Sequence, residues 1–202
     1  MRRMPVASLV LIPAAGLFAQ QPQLNPQLQY LVSPSESKVE FSIHSTLADV
    51  TGVFSSYQAQ FKAPTPRFED ISFTLNVAAA SVSTGSGTKD KMVKGDRFFW
   101  VGKYPSITFV SKRIVADTGN PLKFAMEGDF TLRGVTKPVT LQLTVEPLGN
   151  QHGHLYADLS FDRREFGMSY NMPFNRVSDS VRVRFDLDVQ GTPKGEPASQ
   201  TQ

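Results

Sequence analysis

The chain contains no cysteine. Disulfide bonds, a thiol nucleophile and a thiolate metal centre are therefore excluded, and stability must come from burial of a core. Histidine is scarce: there are three, and two of them, His152 and His154, share one turn. Two histidines without a third ligand nearby are too few for a metal centre, so no metal and no other cofactor is expected. The recurrent catalytic signatures G-x-S-x-G, H-E-x-x-H and the phosphate-binding glycine loop are missing too. No convergent set of titratable groups stands out, and no catalytic residue is assigned. A marked excess of charge is also lacking. Lys and Arg together number 21 against 18 Asp and Glu, and no basic run or face is visible, so nucleic acid is not an expected partner.

Long apolar runs are lacking except near the start. Arg2 and Arg3 precede an apolar stretch from Pro5 to Leu17, followed by Phe18 and Ala19. Pro13 interrupts this stretch, and it is too short for a comfortable membrane span. A positive start, a short apolar run and a small residue at the break read as a secretory signal peptide. The expected organisation is a signal peptide over 1–19, a Gln/Pro-rich flexible lead-in over 20–29, one β-domain over 30–190 and a flexible tail over 191–202. No stable membrane span is expected once the signal is removed.

What the chain does have is alternation. Hydrophobic residues make up 40%, with 15 Phe, enough for a sizeable core. Val39, Phe41 and Ile43 share one parity, as do Ile71, Phe73, Leu75 and Val77. The same holds for Phe124, Met126, Phe130 and Leu132, for Val139 to Val145, for Leu155 to Phe161 and for Val181 to Val189. A period of two means strands with one face buried and one wet. Strands near Val53–Phe61 and Ile107–Val115 bring the set to about eight, separated by Pro64-Thr65-Pro66, Asp117 to Pro121, Gly134 and Pro147 to Gly153. The fold class is all-β. Antiparallel strands in this number avoid exposed edges by closing into a barrel of about eight strands. A barrel of that size is either filled by side chains or encloses one small ligand. On the last strand Arg182, Arg184, Asp186 and Asp188 take the opposite parity and read as a solvated face.

One segment breaks the alternation. Gly85 to Lys94 is rich in Ser, Gly and Lys, and a short helical segment is expected near 86–95. It leads into Asp96-Arg97-Phe98-Phe99-Trp100, an aromatic cluster that either plugs the core or covers a cavity mouth.

Stretches 128–141 (GDFTLRGVTKPVTL) and 104–111 (YPSITFVS) resemble characteristic strands of the YceI-like family, often called polyisoprenoid-binding proteins. Lys89-Asp90, Met92, Asp96, Phe98 and Phe99 are similar to that family's central loop. Arg163, Glu165, Phe166 and Gly167 resemble its R-x-[DE]-F-G turn. Val39, Phe41, His44, Gly52 and Phe54 resemble its first hairpin, and Val177, Asp179 and Val181 its closing strand. The resemblance runs through about residues 28–190 in order. Glu36 stands where the family commonly has His, and Trp100 and Val101 stand where an acidic residue is common. The resemblance implies a lipocalin-like barrel, a periplasmic or secreted location and a long-chain isoprenoid or quinone-like lipid as partner.

On this reading the protein is a carrier that holds a lipid in an apolar barrel interior. The expected cavity wall is Phe41, Ile43, Phe54, Phe73, Leu75, Met92, Phe98, Phe99, Phe109, Phe130, Leu132, Leu141 and Phe161. The candidates for a lipid head group are His44, Lys89, Asp90, Arg97 and Arg163, although for Arg163 the favoured reading is a turn anchor held by carboxylate or carbonyl hydrogen bonds. The alternative is a filled barrel without a cavity, serving as an extracellular scaffold or adhesion module.

Overall fold

The computed structural model describes residues 20–169 and 174–195. The expected signal segment 1–19 and the end of the expected tail, 196–202, lie outside the described residues.

Among the described residues, eleven strands, one helix and three single turns of 3-10 helix follow one another. The strands are β1 (Leu28–Val32), β2 (Lys38–Ser45), β3 (Val50–Phe54), β4 (Tyr57–Lys62), β5 (Ser72–Ala78), β6 (Val82–Ser83), β7 (Ser106–Ala116), β8 (Lys123–Leu132), β9 (Val135–Gly149), β10 (His152–Asp162) and β11 (Val177–Pro193). Helix α1 (Gly87–Lys94) stands where the sequence places it.

Eight of the strands close an antiparallel barrel, in the order β1, β4, β5, β7, β8, β9, β10, β11 and back to β1. Closure depends on the length of β11. One end of it pairs with β1, with Tyr30 opposite Gly191, while the other pairs with β2, with Phe41 opposite Val183. β2, β3 and β6 continue from that second end and widen the wall beside α1. Every edge of the ring is paired, which removes the exposed strand edges that invite aggregation.

Alternation fills the interior. Leu155, Ala157, Leu159 and Phe161 on β10 sit opposite Leu187, Phe185, Val183 and Val181 on β11, and all eight are buried. The core stacks its aromatic rings: Phe61 on Phe73 with centroids 4.5 Å apart, Phe68 on Phe124 at 4.3 Å. Gly128 is required where β8 crosses Phe109. A Cβ there would come within 2.4 Å of Phe109 Cζ and 2.5 Å of the Val110 carbonyl oxygen.

The structure departs from simple alternation at three places. The single strand expected near Val53–Phe61 is two, because Ser55 and Ser56 break it. Across them the buried parity changes from even (Gly52, Phe54) to odd (Phe61). A shift of one residue exchanges the two faces, so the break lets one chain segment serve two parts of the wall. β7 does the same at Lys112, where the register against β8 slips between Ser111 and Arg113. The buried set there changes from Ile107 and Phe109 to Ile114, as at a β-bulge. Finally, Asp188, expected on a wet face, is buried. The β1–β2 connection folds over it: Ser33 N donates to the Asp188 carbonyl and Asp188 N donates to Ser37 Oγ.

Both expected flexible segments contribute to the described fold. Within 20–29, Leu24 packs against the core and its N–H donates to the Pro66 carbonyl at 2.9 Å, while Leu28 and Gln29 open β1. Within 191–202, β11 runs on through Pro193.

Candidate functional site

Among the described residues, a series of voids runs along the barrel interior. Beneath α1 is a cavity of ≈60 Å³ whose wall includes Phe41, Ile43, Met92, Phe98, Phe99, Phe161 and Arg163. The next, ≈40 Å³, is walled by Phe41, Phe54, Leu75, Phe99, Phe109, Phe130, Leu132, Leu141 and Phe161, among others. A third of ≈10 Å³ touches Phe61, Phe73, Met126, Leu141, Leu155, Ala157 and Phe185. The last, ≈210 Å³, is at the end opposite α1 and is walled by Leu24, Tyr30, Phe61, Phe68, Ile71, Leu155 and the 149–154 turn. Neighbouring voids share side chains. Phe41, Phe99 and Phe161 stand between the first two, Leu141 and Phe185 between the next two, and Phe61 and Leu155 before the last.

The structure therefore brings all thirteen expected wall residues onto this axis, divided among the first three voids. Inward parity puts the β-strand members there, and the chain after α1 adds Phe98 and Phe99. That chain is pinned from across the barrel. Arg133, in the β8–β9 turn, donates to the carbonyls of Asp96 (2.8 Å) and Phe98, while Phe99 N donates to the Val93 carbonyl (2.9 Å). Phe99 thereby stands edge-on to both Phe41 and Phe54. Trp100 turns outward at φ 48°, with Lys103 Nζ 4.4 Å above its ring. The aromatic cluster thus divides: Phe98 and Phe99 face the cavities and Trp100 faces solvent. Arg133 was not among the expected site residues, and its position one residue before Gly134 in a turn was the available signal.

The five head-group candidates do not converge. His44 is exposed and paired with Asp49. Asp90 accepts from Thr84 N and Thr84 Oγ1, both at 2.6 Å, which holds its carboxyl below the usual range and ties the start of α1 to the chain before it. Lys89 is half-buried on α1 and Arg97 is exposed on the loop after it. Arg163 alone lines a cavity, and it is 1% exposed. Its guanidinium donates to the carbonyls of Ser178 (2.8 Å), Val177 (3.1 Å) and Met168 and pairs with Asp179 (3.2 Å). A buried guanidinium held this way fixes the turn after β10 to the start of β11.

The two turn histidines bond to carboxylates on β11. His152 Nε2 donates to Asp188 Oδ2 at 2.6 Å, and His154 Nδ1 donates to Asp186 Oδ1 at 3.3 Å. Among the described residues no group of three or more potential ligands is arranged to hold a metal ion, and no helix is long and apolar enough to cross a membrane. The ≈210 Å³ cavity was not anticipated from the sequence. Its wall adds the lead-in, the first strand and a glycine-rich turn, none of which shows a two-residue period, to strand residues such as Phe61 and Leu155.

The profile of the YceI-like domain matches residues 30–189. The chain belongs to the YceI-like family. A UPF0312 protein of Shewanella denitrificans is 29% identical over 163 residues, 78% of this chain and 82% of that one. A UPF0312 protein of Pseudomonas fluorescens is 31% identical over 138 residues, 64% of this chain and 70% of its own. Among solved structures, Burkholderia cenocepacia BcnA superposes with a TM-score of 0.70 at 27% identity, covering 78% of this chain and 98% of BcnA. A polyisoprenoid-binding domain from Saccharophagus degradans superposes at 0.63 with 17% identity, over 82% of this chain and 99% of that one, and shares the fold.

Proposed function

We propose that this protein is an exported carrier that holds the apolar chain of an isoprenoid or similar amphiphilic lipid along its barrel axis. The observation that carries the reading is the row of voids, walled largely by aromatic and aliphatic residues and linked through apolar residues that neighbouring voids share. Side chains can rotate aside for a chain-like ligand. Burial of hydrocarbon contributes ~0.8 kcal/mol per CH₂ before the cost of ordering the chain, so a long tail needs no covalent or catalytic help to stay bound. The polyisoprenoid-binding domain of Saccharophagus degradans, which shares the fold, supports the same ligand class. The signal-like start of the sequence supports export to the periplasm or beyond.

The narrowness of the two middle voids, ≈40 and ≈10 Å³, favours a second reading: a filled barrel acting as a scaffold through its surface. Native mass spectrometry of the purified protein, followed by organic extraction, separates the two. A stoichiometric isoprenoid or quinone-like lipid supports the carrier. A protein that stays ligand-free after incubation with such lipids sinks the carrier reading and leaves the scaffold.

A further inference from the structure

The two ends of the void series differ in chemistry. Of all the residues lining the four voids, Arg163 is the one lysine, arginine, aspartate or glutamate. Three carbonyls and Asp179 already engage it, so the wall of the void beneath α1 holds no uncommitted cation for a phosphate. The opposite end holds the largest void, with two polar side chains that reach one another across it. Tyr30 Oη accepts from Asn25 N at 2.7 Å and donates to the Gln151 side-chain oxygen. Among the described residues the Gln151 amide nitrogen makes only a long bond, 3.4 Å to the Gln23 carbonyl, which leaves an amide hydrogen for a better acceptor. His152 and His154 line the same void, and each is backed by a carboxylate, Asp188 and Asp186. Burial pushes the Tyr30 phenol above its usual range, which keeps it a neutral donor.

We propose that this far end is the head-group end, and that Gln151, its amide oriented by Tyr30, receives an uncharged, hydrogen-bonding head group, such as an alcohol, amide or quinone carbonyl, in preference to a phosphate. The inference rests on the lipid-binding reading and adds polarity and selectivity to it. A phosphate here would be taken from water with no lysine or arginine in the wall to pair with, an arrangement that is strongly unfavourable. A hydroxyl or carbonyl oxygen needs only the amide hydrogen of Gln151. The tail then runs past Phe61 and Leu155 towards α1.

The test compares three C20 ligands on the delipidated full chain: geranylgeraniol, geranylgeranyl monophosphate and the same hydrocarbon without a head group. The alcohol is expected to bind at least about tenfold more tightly than the phosphate, and Gln151→Leu is expected to weaken the alcohol by about two- to tenfold, the range of one hydrogen bond. A prenyl chain with a photoreactive benzophenone head should cross-link the wild-type protein within residues 147–155. Equal or tighter binding of the phosphate, or cross-links confined to residues 86–99, overturns the proposal while the carrier reading stands. Failure of all three ligands, the hydrocarbon included, overturns the carrier reading itself and this inference with it.

Discussion

Phe99 meets Phe41 edge to face, with ring centroids 5.4 Å apart and planes at 85°. The two residues come from opposite kinds of structure, an irregular loop and an interior strand, and their contact stands between the cavity under α1 and the central one. The same ring meets Phe54 at 5.6 Å, and Phe99 is one of the side chains, with Phe41, Phe161 and Val181, that the two voids share.

Phe99→Ala is therefore expected to merge the first two voids. The loss in stability should be about 2 kcal/mol, below the ~3–5 kcal/mol of a fully buried phenylalanine, because the ring is only half buried. Urea denaturation measures that loss. Stopped-flow uptake of a prenol should accelerate in the variant, and an unchanged rate would remove Phe99 from the path.

Ala157 lines the narrowest void, together with Leu155, Phe185 and Phe61. Ala157→Leu is expected to fill it, at an overpacking cost of about 1–3 kcal/mol. Short-chain prenols should still bind, while long-chain prenols lose affinity because the axis is cut. Competition binding against a series of chain lengths checks this, and uniform loss at every length would count against a continuous axis.

Arg163 anchors the turn after β10 through three carbonyls and Asp179. Arg163→Met should leave those acceptors buried without a donor and destabilise the fold by about 3–5 kcal/mol. Arg163→Lys should recover only part of that, since an ammonium cannot reproduce the planar fork. Guanidinium denaturation gives both values. Lipid bound per folded molecule should stay level in Arg163→Lys, and a specific loss of head-group affinity would instead mark Arg163 as a ligand contact.

Asp162 accepts from Arg164 N at 2.9 Å and from the Arg164 guanidinium at 2.6 Å, and these bonds lower its carboxyl from 3.8 to about 2. Its folded-state value is depressed, so its contribution is fully present above the unfolded value. That contribution is lost as pH falls from about 4 towards about 2. Asp162→Asn should flatten the acid limb of a melting-temperature profile over that window and leave the profile above pH 5 parallel to the wild type. An unchanged acid limb would show that Asp162 is not the titrating group.

The strands were legible where one face is buried and the other wet along a whole strand, as on β10 and β11. There the period of two is a direct consequence of the pleat. β1 escaped because only Tyr30 of its five residues is buried, which leaves no alternation to see. The break at Ser55-Ser56 escaped because a parity change looks, in sequence, like noise. The inward-facing positions were legible for the same reason as the strands, since an inward position on a closed barrel is an interior position. Their division among separate voids was not legible, because void volume is set by how rings from distant strands meet, as Phe99 meets Phe41.

The sequence by itself determined the all-β class, the helix before the aromatic cluster, the family and the apolar nature of the interior. All of these follow from local pattern: side-chain period, turn residues and the order of short motifs. The tertiary structure alone decided that the interior is a row of unequal voids, that Arg163 is consumed by the turn it holds, and that Tyr30 and Gln151 meet across the largest void. Those outcomes depend on contacts between residues far apart in the chain, 121 positions in the last case, and no local pattern encodes a distance of that kind.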